Sequence, residues 1–132
     1  MNKYAADLWG RSQEAIQTAK ADLSVSSDAA ASRAYYAAFY AVSALFALED
    51  KEFTKHSQVR AAVHRDLVKT GRWPTERGED YSFLLRLRET GDYGGSQHVS
   101  ADEAAEAVVT AGRIAELVLE AHPELGQPEG EG

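Results

Sequence analysis

Ser32-Arg33-Ala34-Tyr35-Tyr36-Ala37-Ala38-Phe39-Tyr40-Ala41-Val42-Ser43-Ala44-Leu45-Phe46-Ala47-Leu48 decides the fold. Tyr35, Phe39, Val42 and Phe46 recur at i, i+4, i+7 and i+11, the spacing of one apolar face of an α-helix. The other sides carry Ala34, Ala37, Ala38, Ala41, Ala44 and Ala47. Alanine is the strongest helix former, and its small side chain lets neighbouring helices come close. The spacing therefore predicts a central helix over about 28–48, contacted on several sides.

Upstream, Tyr4, Leu8, Ile16 and Ala19 form a stripe on a first helix over about 2–23, and residues 24–28 supply a turn and a cap. Downstream, Glu49-Asp50-Lys51-Glu52 is a solvated connection. Thr54 is expected to cap a third helix over about 55–70, with Val59, Val63 and Leu67 inward and Gly71 just past its end. Pro74 fits the first turn of a fourth helix, or the loop before it. That helix covers about 76–90, with Gly91, Gly94 and Gly95 as breakers. Ser100 and Glu103 have capping-box spacing. They open a fifth helix with Ala104, Val108, Ala111, Ala115 and Val118 in a stripe, ended by His122-Pro123. The expected fold is all-α, an up-and-down bundle of four to five helices. It comprises one domain over residues 1–122 and an unstructured acidic tail over 123–132, rich in Gly, Pro and Glu.

Composition narrows the function classes. With 21 acidic and 14 basic residues, the net charge is −7. Non-specific nucleic-acid binding needs a basic footprint, so the overall balance argues against it while leaving room for a local basic pocket. The absence of cysteine removes disulfides, thiol catalysis and thiolate metal sites. His56, His64, His98 and His122 include no pair at helical zinc spacing. We therefore expect neither a metal nor a cofactor. The N-terminus is polar rather than an apolar signal core. The longest apolar run, about 37–48, is too short for a bilayer. A cytoplasmic protein without membrane contact is the expectation.

Arg88 is the most informative polar residue. Tyr81, Leu85, Arg88 and Asp92 lie at i, i+4, i+7 and i+11, which puts a guanidinium on an apolar face. A buried unpaired charge is strongly destabilising, so Arg88 needs a carboxylate, an anionic ligand or an open cleft. The plain alternative is an Arg88–Asp92 pair that only fixes helix packing. Arg33, Tyr36 and Tyr40, at i, i+3 and i+7, form a second face that could grip a phosphate or a base. The pattern alone favours the plainer reading, amphipathic side chains covering a helix seam. His56 opens the third helix, where the dipole disfavours a cation. A neutral imidazole there could act as a base, or simply complete a loop hydrogen bond. Trp9 and Trp73 read as packing anchors, His64 and His98 as surface positions, and His122 as a complement to the last helix dipole.

Four blocks, taken together in order and spacing, resemble a prokaryotic branch of the HEPN (higher eukaryotes and prokaryotes nucleotide-binding) family. They are residues 32–39, Lys55-His56, Val68-Lys69-Thr70-Gly71 and Leu87-Arg88-Glu89-Thr90-Gly91-Asp92-Tyr93-Gly94. The resemblance covers about 20–119. It implies a helical bundle that often forms a homodimer, and frequent pairing with a minimal nucleotidyltransferase in toxin–antitoxin or related defence operons. In active HEPN ribonucleases an arginine, a polar residue and, a few positions on, a histidine build a metal-independent RNA-cleaving cleft. Arg88 matches the arginine and Glu89 the polar residue, but Asp92, Tyr93, Gly94 and Gly95 fill the histidine window. Without that histidine the general acid–base partner is missing. In related pairs a tyrosine near the arginine accepts a nucleotidyl group, and Tyr93 is the matching position.

Three readings follow. The leading one is a binding and partner module holding a nucleotide or other anion with Arg33, Tyr36, Arg88, Asp92 and Tyr93, or docking a nucleotidyltransferase. The second is a metal-independent ribonuclease toxin, with catalytic candidates Arg88, Tyr93 and His56. The third is a purely structural helical dimer.

Overall fold

The structure, a computed structural model, describes residues 2–127. Five α-helices follow in order: α1 (Lys3–Asp22), α2 (Ser27–Leu48), α3 (His56–Ala62), α4 (Thr75–Tyr93) and α5 (Ala101–Ala121). A π-helical turn (Val63–Val68) extends α3, and a 3-10 turn (Pro123–Gly126) follows α5. No strand occurs among the described residues, so the all-α bundle stands.

The chain packs around α2, which meets α1, α4 and α5. Ala30, Ala34, Ala37, Ala38, Ala41 and Ala44 are fully buried, and only the face carrying Arg33, Tyr36, Phe39, Tyr40 and Ser43 keeps partial exposure over the middle turns of α2. Tyr35, Val42, Leu45 and Phe46 fill the remaining space. Burying a Leu or Phe stabilises by about 1.5–3 kcal/mol, whereas a partly exposed ion pair contributes about 0–1 kcal/mol. The apolar seams of α2 therefore hold the bundle. A buried hydrogen bond pins one seam, where the Ser12 hydroxyl donates to the Ala37 carbonyl at 2.7 Å. All five residues of the expected α5 stripe are buried.

The ends follow local chemistry. Ser26 caps α2 by accepting from the Ala29 N–H at 3.1 Å. Ser100 and Glu103 form the capping box, at 3.1 and 3.0 Å. Asp28, in the first turn of α2, accepts from the Val99 N–H at 2.7 Å and pairs with His98 Nδ1 at 2.6 Å. It thereby ties the connection before α5 to the start of α2. His98 is thus more than a surface position, and its hydrogen bond holds the Asp28 carboxyl below the usual carboxylate range. At the opposite end of α2, Glu49 takes both terminal nitrogens of Arg72 at 2.7 and 3.0 Å and His122 Nε2 at 2.8 Å. His122 therefore bridges two elements rather than merely complementing a dipole.

Several expectations are corrected. Thr54 does not cap α3: the Gln58 side chain reaches back to the N–H groups of Thr54 and Lys55, both at 3.1 Å. The third helix is not one regular α-helix, because Lys69 N–H donates to the His64 carbonyl at 2.9 Å, a five-residue step. Trp73 is a buried anchor, and Trp9, half-buried, packs against the core as expected. Pro123–Gly126 are ordered rather than unstructured because Leu125 is buried against the bundle. The remainder of the expected tail, from residue 128, lies outside the described residues.

Gly91 does not break α4, which continues to Tyr93. A Cβ on Gly91 would stand 2.8 Å from the Asp28 carbonyl oxygen. The glycine is therefore a point of close approach between α4 and the start of α2. Gly91→Ala should destabilise the protein by about 1–3 kcal/mol, as overpacking does. Gly10→Ala, with nothing within 4 Å of the added methyl, should stabilise by about 0.5–1 kcal/mol. Urea unfolding of the two variants checks both signs.

Candidate functional site

The close approach at Gly91 sets the next residue, Asp92, beside Ser32, one turn beyond Asp28 on α2. The Ser32 hydroxyl donates to Asp92 Oδ2 at 3.2 Å. Arg88, one turn earlier on α4, donates from Nε to the same oxygen at 3.0 Å. One terminal nitrogen of Arg88 donates to the Tyr36 hydroxyl at 3.1 Å and, more loosely, to the Tyr93 hydroxyl at 3.5 Å. The guanidinium carbon lies 5.5 Å from the ring centres of both Tyr35 and Tyr36, and 5.3 Å from that of Tyr93. These are cation–π distances.

Burial works against the Arg88 charge, yet Tyr36, Tyr93 and Asp92 outweigh it and hold the group more firmly protonated than a free arginine. The side chain of Arg88 is 18% exposed and that of Asp92 29%. The arginine is thus neither interior nor free in solvent; it sits part-exposed among the Tyr35, Tyr36 and Tyr93 rings at the bundle surface, a position we call the Arg88 notch. Arg33 stands on the other helix with its guanidinium carbon 4.6 Å from the Tyr36 ring centre. It meets no carboxylate at ion-pair distance among the described residues.

His56 arrives from α3. Its ring lies flat on Phe39, with centroids 4.0 Å apart and planes at 2°, and its Nδ1 shares a hydrogen bond of 2.9 Å with the Tyr35 hydroxyl. Although His56 is exposed overall, this stacking desolvates the imidazole. Burial first, and the charge of Arg88 second, push its pKa below the ordinary 6.5. Both effects act in the same direction as the helix dipole, toward the neutral imidazole. Tyr35 itself is buried, and loss of solvent pushes its phenol up. It stays protonated and holds His56 in place.

All five expected ligand residues, Arg33, Tyr36, Arg88, Asp92 and Tyr93, meet around one notch. The Arg88–Asp92 pair weighed as a packing device is also present. Tyr93 is 73% exposed, so it lies at the rim. Ser32, Tyr35 and Phe39 were not singled out as site residues from sequence. Their i, i+3, i+7 spacing on α2 was the available signal, but Tyr35 and Phe39 read equally well as core. Among the described residues no three His, Asp or Glu side chains gather as a metal site, and no described helix is long and apolar enough to cross a membrane.

The HEPN domain model matches residues 5–122. A Gloeobacter violaceus protein described as a UPF0332 protein is 31% identical over 123 residues, covering 91% of this chain and 97% of that one. A Thermotoga maritima UPF0332 protein is 49% identical over 65 residues, a match spanning 49% of each chain. A Methanocaldococcus jannaschii protein bearing the name "Putative toxin" is 32% identical over 77 residues, 58% of this chain and 52% of that one. A crystal structure of a Thermus thermophilus protein superposes with a TM-score of 0.74 at 22% identity, covering 91% of this chain and 98% of that one; at that identity the likeness speaks to the fold. With its helices in this arrangement and the family model spanning nearly the whole bundle, the chain belongs to the HEPN domain family.

Proposed function

We propose that this HEPN domain is a binding module that takes a nucleotide or another phosphate-bearing anion at Arg88. The observation that carries the reading is a guanidinium held at the surface among three phenol rings. A packing ion pair would need only Asp92. Here Tyr36 and Tyr93 offer hydroxyls and π-faces beside the cation, which suits a phosphate with an adjoining base. Arg33 adds a second cation next to the same Tyr36 ring, so two guanidinium groups stand against one carboxylate in a protein of net charge −7. Asp92 is shared with Ser32, which further weakens its hold on Arg88.

Within this reading the module works in a toxin–antitoxin type system, as a homodimer and with a minimal nucleotidyltransferase as partner. The relative named as a toxin supports the system, and the exposed hydroxyl of Tyr93 suits a position that a partner enzyme must reach. Calorimetric titration with AMP tests the site. Arg88→Gln should weaken AMP binding at least tenfold, with stability lowered by about 1–3 kcal/mol, the loss of a partly exposed pair and three ring contacts. Unchanged affinity together with a large loss of stability would instead favour the structural role.

One observation favours the ribonuclease as a second reading. The family's histidine window is filled by residues 92–95, yet His56 reaches the same tyrosines from α3, and a neutral imidazole is what general-base work requires. Arg88 would then stabilise the phosphate and Tyr93 or His56 would handle the proton. RNA incubated with the protein in chelator should be cut by the wild type and spared by both His56→Gln and Arg88→Gln. Intact RNA with the wild type removes this reading.

The lowered pKa of His56 has a stability consequence. The unfolded chain takes up the His56 proton more readily than the folded one, so stability falls as pH drops through 6.5 toward the folded pKa. Thermal melts of the wild type should show this decline between neutral and mildly acidic pH. His56→Gln should flatten it.

A further inference from the structure

Between α1 and α2 runs a polar groove of about 290 Å³, lined by Arg11, Glu14, Ala15, Thr18, Arg33 and Tyr40. It contains two of the protein's nine arginines. Five others, Arg65, Arg72, Arg77, Arg88 and Arg113, are paired with carboxylates, while Arg60 and Arg86, outside the groove, pair with none among the described residues. Arg11 and Arg33 meet none at ion-pair distance among the described residues, although acidic residues outnumber basic ones 21 to 14. Glu14 lines the same groove, yet it forms no such pair with either. Two cations left unneutralised side by side repel each other and are most stable with an anion between them.

The aromatic residues make this groove continuous with the Arg88 notch. Arg11 lies 6.0 Å from the Tyr40 ring centre. The Tyr40 and Tyr36 rings are 6.0 Å apart. Arg33 and Arg88 stand 4.6 and 5.5 Å from the Tyr36 ring centre. Two adjacent phenol rings, Tyr40 and Tyr36, thus link Arg11 of α1 to Arg88 of α4, with Arg33 beside Tyr36. Such interleaving suits a chain of phosphates, with ring faces left for bases or ribose. The Arg33 and Arg88 guanidinium carbons can be no farther apart than their two distances to the Tyr36 ring laid end to end. Three nucleotides of a strand, at roughly 3.4 Å of rise each, cover that span.

We propose that Arg11, Arg33, Thr18 and Tyr40 form a second phosphate subsite in the α1–α2 groove. It joins the Arg88 notch across Tyr36, so that the protein takes a ligand with several phosphates in preference to a nucleoside monophosphate. The proposal rests on the reading of Arg88 as an anion site. The ligand is either the polyphosphate tail of a nucleotide or the backbone of a single-stranded oligonucleotide; both present successive phosphates.

The test uses the full chain with three probes: AMP, ATP and a fluorescein-labelled oligouridylate. Arg11 is exposed, so Arg11→Gln should leave the melting temperature unchanged. It should leave AMP binding unchanged as well, and weaken ATP or oligouridylate binding about five- to tenfold, the loss of one charge-assisted hydrogen bond. With the oligouridylate it should also lower the salt slope by about 0.7. Arg11→Lys, which keeps the charge, should restore most of the affinity. An effect on ATP alone identifies a nucleotide tail, and an effect on the oligouridylate identifies a strand; either supports the subsite. If Arg11→Gln changes neither while Arg88→Gln abolishes all binding, the second subsite is wrong and the Arg88 reading survives. If Arg88→Gln leaves AMP binding intact, the Arg88 reading fails and the proposed continuity with it.

Discussion

The whole arrangement depends on how closely α2 can be approached. Alanine on nearly every side of its middle turns lets α1, α4 and α5 seat against one backbone, and the large side chains Tyr35, Leu45 and Phe46 fill the remaining space. A bulkier residue at any of the fully buried alanines would push one neighbour outward and leave a void behind another, since protein interiors pack at crystal-like density. The same closeness operates at Gly91, where α4 nearly touches the first turn of α2. Ser32, Asp92 and Arg88 come within hydrogen-bonding range because no side chain stands between these helices.

Where the apolar seam ends, the polar groups that remain must be satisfied at its edge. Arg88 illustrates the balance. Full burial would require compensation for a lost hydration shell, while full exposure would leave it indifferent to its neighbours. At partial exposure it keeps some water, one carboxylate oxygen and the faces of three phenol rings. Cation–π contacts contribute about 0.5–1 kcal/mol each at exposed sites and more when desolvated. The cluster around Arg88 is thus held by many small terms rather than one strong pair.

His56 ties α3 to the aromatic rings of α2. No histidine follows Arg88 on α4, but the imidazole stacked on Phe39 approaches Tyr35 and Tyr36 from α3. Its ring is desolvated by flat contact with an aromatic neighbour and repelled by a nearby cation, and both effects favour the neutral form. A histidine and an arginine distant in the chain thereby share one ring-lined surface.

Periodicity and caps in the sequence determined the five helices, the central place of α2, the capping box at Ser100 and the arginine that needed a partner. These are local properties, settled by residues within one or two turns of each other. Only the tertiary structure decided which faces meet. It turned Gly91 from an expected break into a contact point, drew Leu125 into the core, made His122 a bridge to Glu49, and brought His56 to Tyr35. The groove of Arg11 and Arg33 likewise joins residues whose spacing along the chain carries no signal. Contacts between helices depend on how side chains interlock across a seam, and no local pattern records that.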